Sequence, residues 1–438
     1  MIKDNDSQNI KKEKLPPIWK RSKLIEVSII KGRIGWKGLT RSEFSNDGVI
    51  IVNGPDIKDG KVLWDKCLRI PRWRHEESAD ISVRKGDILV TKDGTIGKTA
   101  FIDDLPESAS IASGIFLIRT KNEEILNGKF LYQYFNSENF KELVESVIEG
   151  SVIPHLYQRD LEQLTIPLPP LNEQKAIVKI LSNLDSKIEL NQKMNRTLES
   201  IAQAIFKHWF IDFEFPNEEG NPYKSSGGEM VDSELGKIPM GWDITTVGKC
   251  VNISGGTTPR TSELHYWMNG TELWATPKDL SNLSSPILIN TERKITVDGL
   301  TSIGNRLFPR GSLLLSSRAP IGYLALTDVE TSVNQGIIAI LPNGKLSTFY
   351  MYGWCKANMN LIKDNANGST FAEISKGSFR SIKIILPDKK LLRLYDEIFS
   401  KSYTKMTNST KQSLALFNIR DTLLPRLISG KIRVPLEE

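Results

Sequence analysis

Cysteine is scarce here. Three residues, Cys67, Cys250 and Cys355, are spread over 438 positions. An odd, scattered set excludes a disulfide framework and a cysteine-based zinc site, and it fits a reducing compartment. The four histidines are equally scattered, so no His-rich metal site is visible. No uninterrupted apolar run approaches the ~18 residues that cross a bilayer. The first fourteen residues, ending Lys11-Lys12-Glu13-Lys14, hold no apolar stretch of the signal-peptide kind. The expectation is a cytoplasmic protein without membrane contact. A strong charge of one sign is missing too. The 58 Lys+Arg against 52 Asp+Glu leave a net +6, which permits nucleic-acid binding without demanding it. What is present is apolar residue enough for real cores, 39% of the chain. At roughly 150 residues per domain, the length allows about three units.

An internal repeat organises the chain. Pro16-x-x-Trp19 recurs as Pro239-x-x-Trp242, and Asp56-Ile57 as Asp279-Leu280. Gly86-Asp-Ile-Leu-Val matches Gly311-Ser-Leu-Leu-Leu, and Ile96-Gly97 matches Ile321-Gly322. Ile111-x-x-Gly114-Ile115 matches Val333-x-x-Gly336-Ile337, Gly150-Ser151 matches Gly368-Ser369, and Leu161 through Pro169 matches Phe379 through Pro387. An ordered series of this kind marks one duplicated unit. The repeated residues are glycines, prolines and apolar positions, which build turns and cores. The polar loops between them differ. Two copies of one frame with different loops suggest one task performed on two targets.

Each copy reads as a mixed globular part followed by a long helix. Short β-type runs punctuated by glycine, such as Asp87-Ile-Leu-Val and Gly336-Ile-Ile-Ala-Ile, dominate the globular parts. Helices are expected near 128–149 and 347–363. After Pro169-Pro170, positions 177, 181, 184, 188, 191, 195, 198, 202, 205 and 209 alternate by four and three. Eight of these ten are apolar, which is a coiled-coil seam. No Gly or Pro interrupts 171–215, a helix on the order of 60 Å long. The second helix has Leu391, Tyr395 and Ile398 at one end of its seam and Leu416, Ile419 and Leu423 at the other. Ser402, Lys405, Ser409 and Gln412 form a polar waist between them. Antiparallel pairing would set Asn191 and Asn195 opposite that waist, where buried polar residues fix register. Pro216 through Gly228 is a linker by composition. The expected boundaries are 1–168 and 216–386 for two globular domains (the second including the linker), 169–215 for the first helix, and 387–438 for the second helix and tail.

Catalytic patterns are incomplete. Gly94-Thr-Ile-Gly97-Lys98-Thr99 resembles the end of a phosphate-binding loop, but Lys92 stands where that pattern needs glycine. Asp56, Asp59 and Lys61 are too close in sequence for a metal-dependent nuclease, and Asp56 matches Asp279 as a turn acid would. Asn221-Pro222-Tyr223 is one proline short of an amino-methyltransferase loop. The basic–aromatic loops are better signals. Arg69-Ile-Pro-Arg72-Trp73-Arg74-His75 clusters three arginines with a Trp and a His. Thr257-Thr-Pro-Arg260 leads into His265-Tyr266-Trp267, while Lys278, Arg318, Asn334 and Gln335 sit beside glycine or proline turns. Arg reads guanine, and Asn or Gln reads adenine, while lysines and remaining arginines hold phosphates. With Lys92 and Lys98 these residues form the candidate DNA-binding set.

Ile166-Pro-Leu-Pro-Pro-Leu-Asn-Glu-Gln174 and Ala204-Ile-Phe-Lys-His-Trp209-Phe210-x-Asp212-Phe213 flank the first helix. Together with Pro222 to Gly228, Ser233 to Trp242 and Leu423 to Lys431, they resemble the specificity (S) subunits of type I restriction–modification systems. One departure is Leu386-Pro387-Asp388-Lys389-Lys390, where that family repeats Pro-Pro-x-x-Glu-Gln; Asp388 is still fit to cap the second helix. The resemblance implies an α+β protein with two homologous mixed α/β target-recognition domains separated by an antiparallel two-helix coiled coil. It implies a non-catalytic subunit that binds double-stranded DNA at an asymmetric bipartite target. Two modification subunits would bring S-adenosylmethionine, and restriction subunits would bring ATP and Mg²⁺. Phe206, Trp209, Phe210 and Phe213 surround the helix axis instead of forming one stripe, so some are expected to dock a modification subunit. The alternatives are a coiled-coil scaffold that binds only proteins, and an NTPase built on residues 94–99.

Overall fold

The computed structural model describes residues 15–33, 39–149, 154–342, 344–368 and 372–435. The Gly150-Ser151 match, part of its partner Gly368-Ser369, and the polar N-terminal stretch lie outside them. The chain forms two compact units. One comprises residues up to Ser186 together with Leu416 onward, and the other comprises Lys187–Ala415.

In the first unit, glycine-punctuated apolar runs pair as the sequence suggests. A four-stranded antiparallel sheet runs in the order Ser28–Gly32, Ile115–Thr120, Ile88–Thr91, Thr99–Phe101. A second sheet places Val49–Val52 between Leu68–Ile70 and Ala109–Ile111, the latter pair parallel. Lys20–Lys23 pairs with Thr165–Leu168. Helices Gly128–Phe135 and Glu138–Glu149 cover the larger sheet through Phe130, Leu131, Phe135 and Phe140.

The second unit repeats this plan. Ile253–Gly255, Ile337–Ile340, Leu313–Ser316 and Leu324–Thr327 keep the same order and add Ile287–Leu288 at the edge. Glu272–Ala275 lies between Lys294–Ile295 and, in parallel, Ser332–Val333. Asp243–Thr246 pairs with Lys383–Leu386. The turn acids match as well. Asp56 Oδ2 accepts from Asn53 N, and Asp279 Oδ2 accepts from Thr276 N, both at 2.8 Å. Asp279 also accepts from Glu292 N at 2.7 Å. Both acids accept from backbone donors, the turn role that their match in the repeat suggests. Asp279→Ala is expected to lower the stability of the second unit by about 1 kcal/mol, read from its urea midpoint.

The first long helix spans Leu171–Phe206 and closes with a wider turn over Lys207–Ile211. The second spans Lys389–Ile428, with Asp388 accepting from Lys390 N at 2.7 Å as its cap. Every seam position of the first helix is buried or half-buried. In the second unit Asn191 Nδ2 donates to Gln412 Oε1 at 3.0 Å and Ser413 Oγ at 3.2 Å, and Asn195 Nδ2 donates to Thr410 Oγ1 at 3.1 Å. In the first unit Arg420 Nη1 meets Asp185 Oδ1 at 3.0 Å. Each of these contacts pairs a rising number with a falling one, so the helices run antiparallel.

The seam of the second helix differs from the sequence reading. Lys405, Gln412 and Ile419 are exposed, and the buried line runs through Phe399, Tyr403, Met406, Ser409, Ser413, Leu424 and Leu427. A heptad template assumes one partner. This helix also packs on a sheet, where Tyr403 Oη donates to Thr327 O at 3.0 Å, and on the helix Thr348–Ala357, where Phe349 stacks on Phe399. The linker is ordered for a similar reason: Phe215 stacks between Tyr223 at 4.6 Å and Trp242 at 5.2 Å.

That stack has a polar counterpart in the first unit. Trp19, the repeat partner of Trp242, donates its Nε1 to Glu173 at 2.9 Å, and Arg433 closes on the same buried carboxylate. In the second copy Phe215 occupies the place of Arg433, and Leu391 that of Glu173. The departure from Glu-Gln in the second motif is therefore one side of a coordinated swap from a charged corner to an apolar one.

Candidate nucleic-acid interface

The two copies present one equivalent loop, the turn after the third strand of the larger sheet. In the first unit Gly97 N donates to Thr91 O and Lys98 N to Thr91 Oγ1, both at 2.9 Å. In the second, Gly322 N donates to Ser316 O at 3.1 Å and Tyr323 N to Ser316 Oγ at 2.8 Å. Lys92 N and Ser317 N each donate to a glycine carbonyl, Gly114 and Gly336, at 2.9 Å. Gly94 and Ala319, at equivalent tips, both adopt positive φ, +68° and +58°. This turn joins two antiparallel strands, so Gly94–Thr99 does not lead into a helix. A phosphate-binding loop needs the amide-rich N-terminus of one, and the NTPase reading ends here.

On this shared frame the second unit gathers three of the expected residues. Lys278, Arg318 and Asn334 line one open cleft of about 410 Å³ with Thr276, Pro277, Ser281 and Tyr323. Arg318 Nη1 lies 3.6 Å from Glu373 and remains partly exposed. Lys278 pairs with Glu292 at 2.8 Å on the surface. Asn334 Oδ1 accepts from Gly336 N at 2.9 Å, which shapes the turn and leaves its amide donors. Gln335 is exposed and accepts from the Thr258 hydroxyl. Arg260 is exposed, and its carbonyl accepts from Trp267 Nε1 at 3.1 Å.

The first unit divides its basic cluster. Arg72 and Trp73 are exposed on the short helix Arg72–Glu76. Arg74 is buried and bonded to Glu43 and Glu77, so the expectation that it contacts DNA gives way to a bracing role. Arg69 is tied in a fork to Glu107 at 2.7 and 2.9 Å and to Gly48 O. The Glu107 bond holds the guanidinium above its usual pKa. Lys92 is half-buried with its ammonium 4.8 Å over the Phe116 ring. Burial pulls its pKa down, and Asp93 opposes that. Lys98 is half-buried beside the same turn.

The candidate partner surface is largely core. Phe206 and Phe210 are 1% and 3% exposed and pack edge-on against Tyr350 and Tyr395. Trp209 and Phe213 are half-buried against the same cluster. Apolar residues surround the axis because the recognition unit itself covers the faces that the helix pair leaves open. Ile201 and Ile211 remain exposed.

Sequence reasoning passed over Asp93, His155, Tyr157 and Arg159 in the first unit, and Tyr323 and Glu373 in the second. His155 Nδ1 bonds to Asp93 and its ring lies 4.6 Å from Tyr157, over which the Arg159 guanidinium sits at 4.8 Å. The signal was available in the repeat, since His155 and Glu373 occupy equivalent positions, as do Asp93 and Arg318.

The family model for the type I restriction modification DNA specificity domain matches residues 17–200 and 239–414. The chain belongs to that family. It is 25% identical over 442 residues to the type I restriction enzyme HindI specificity subunit of Haemophilus influenzae, covering 88% of this chain and 94% of that one. To the MjaIX specificity subunit of Methanocaldococcus jannaschii it is 27% identical, over 80% of this chain and 78% of the relative. The crystal structure of the type I restriction-modification S subunit from M. genitalium shares the fold, with a TM-score of 0.56, 17% identity and 98% of both chains covered. The two matched stretches of the specificity-domain model fall one on each copy of the repeat. Among the described residues no helix is long and apolar enough to cross a membrane, and no cluster of three His, Cys, Asp or Glu is placed to hold a metal ion.

Proposed function

We propose that this chain is the DNA sequence-specificity subunit of a type I restriction–modification complex and is not itself catalytic. The observation that carries the reading is one loop frame, built twice with the same backbone bonds, presenting different side chains each time. Each copy takes one half of an asymmetric bipartite site. Arg72, with Lys92 and Lys98, serves the first half-site. Arg260, Lys278, Arg318, Asn334 and Gln335 serve the second. Arg69 and Arg74 hold the first loops in place. The specificity-subunit names of the relatives support assembly with further subunits. In this reading two modification subunits supply S-adenosylmethionine and adenine methylation, and restriction subunits supply ATP- and Mg²⁺-dependent cleavage, all in the cytoplasm. Exposed Ile201 and Ile211, with the accessible edge of Trp209, are the apolar groups left for a modification subunit near the end of the first helix.

Methylome sequencing of cells expressing this chain with its modification subunit tests the reading. A two-part methylated motif with an unread gap is the expected result. No sequence-specific methylation, with the complex assembled, would reject it in favour of a protein-only scaffold. Arg72→Ala should relax or weaken only the first half-site and Arg260→Ala only the second, each by about 1–3 kcal/mol where the contact is to a base. A uniform loss across all sequences would reassign that arginine to phosphate.

A further inference from the structure

The equivalent loops of the two units carry opposite charges at one position of their common frame. Asp93 in the first unit stands where Arg318 stands in the second, each one residue before the positive-φ tip. Each lies over the equivalent glycine. A Cβ built on Gly114 would be 3.8 Å from Asp93 Cβ, and one on Gly336 would be 3.3 Å from Arg318 Nε. Each tip side chain meets a side chain of the opposite acid–base type on the segment that follows the domain's helices. Asp93 bonds to His155 Nδ1, and Arg318 faces Glu373 at 3.6 Å. His155 and Glu373 are themselves equivalent: Leu156 N donates to Lys92 O at 3.1 Å, and Ile374 N donates to Ser317 O at 3.0 Å. The same two positions thus hold acid–base in one unit and base–acid in the other. All four side chains keep solvent-facing surface, between 31% and 47%.

A purely structural brace has no need to exchange acid for base while the backbone bonds of the turn are kept. A reader of bases does. In the major groove guanine offers only acceptors on its edge, which suits a guanidinium, and cytosine offers an amino donor, which suits a carboxylate. We infer that these pairs are the specificity determinants of the two units: Arg318 reads guanine in the second half-site, and Asp93 reads cytosine in the first. Glu373 and His155 are positioning residues that fix the orientation of the reader and leave its outer edge free. Arg318 has five donors and gives up only part of them to Glu373. Asp93 bonds His155 through Oδ1 and keeps its second oxygen. The inference deepens the proposed DNA-recognition function and rests on it.

Transplanting the pairs tests it in the assembled complex. Asp93→Arg with His155→Glu installs the second unit's pair in the first; Arg318→Asp with Glu373→His does the reverse. Methylome sequencing should show one position of the altered half-site exchanging cytosine for guanine, or guanine for cytosine, with the other half-site unchanged. Binding to selected duplexes should show the preference at that position move by roughly 5- to 150-fold. Glu373→Ala should blunt discrimination at that position alone, and Glu373→Gln should restore part of it. Should a transplant not fold, Asp93→Asn and Arg318→Lys keep size and should each lose discrimination at a single position. Unaltered base preference in folded variants, or equal weakening on every sequence, overturns the inference. Failure of the DNA-recognition reading looks different: the parent complex itself then leaves no methylated motif.

Discussion

Replacing Phe206 with alanine is expected to destabilise the second unit by about 3–5 kcal/mol, a large share of a domain's stability. Its ring is 1% exposed, with the rings of Phe210, Tyr350 and Tyr395 centred 5.1 to 5.8 Å away. A Cβ on Gly353 would come within 2.3 Å of Phe206 Cδ2, so the neighbouring helix has a glycine where the ring enters. A slot cut that closely cannot collapse to fill the void, which places the cost in the upper part of the range for aromatic truncation. Phe206→Leu keeps most of the volume and should lose less than half as much. Urea unfolding of the chain distinguishes the two variants. The same measurement separates core from interface: a partner-docking residue would leave the unfolding midpoint of the isolated chain within about 0.5 kcal/mol and weaken only assembly. A loss below about 1 kcal/mol for Phe206→Ala would return it to the partner surface.

Phe206 also illustrates what a sequence makes legible. Its neighbours at 204–215 are apolar on all sides of the helix, and from that pattern alone a second contact surface is certain while its owner is not. The owner is the sheet-and-helix body formed some 40 to 200 residues later in the chain, a long-range pairing that periodicity does not encode. The seam of the first helix was legible at its waist, where Asn191 and Asn195 found polar groups on the second helix as expected. The second helix has two partners, and its buried line follows their sum. Arg74 and Arg72 are two residues apart in a basic run, yet one is buried between carboxylates and the other faces solvent. Composition scored them alike because the acid that decides the matter, Glu43, arrives from thirty residues upstream. The repeat carried the most information. It gave the frame directly, and its two offsets together, 225 at Asp93 and 218 at His155, also contained the reversed acid–base pair.

The paired helices set a quantitative expectation for the DNA target. Removing one heptad around Asn191 and the matching heptad around Ser409 to Ser413 keeps both seams in phase, because seven residues are two turns of a supercoiled helix. The pair shortens by about 10 Å, the rise of seven residues. At about 3.4 Å per base pair this equals ~3 base pairs, so the unread gap of the methylated motif should shrink by that amount, with both half-site sequences intact. Three base pairs also turn the duplex by roughly 100°, since a full turn takes about 10 base pairs. The variant should therefore methylate its new target more slowly than the parent methylates its own, and should not methylate the parental target at all. The deletion removes the Asn191 layer and its bonds to Gln412 and Ser413. Asn195 and Thr410 are the pair to watch in a control that swaps both for leucine without changing length. That control should keep the parental gap, because register and length are unaltered. If the shortened variant folds and still methylates the parental motif, the helices do not measure the gap, and the spacing must instead be set by the partner subunits.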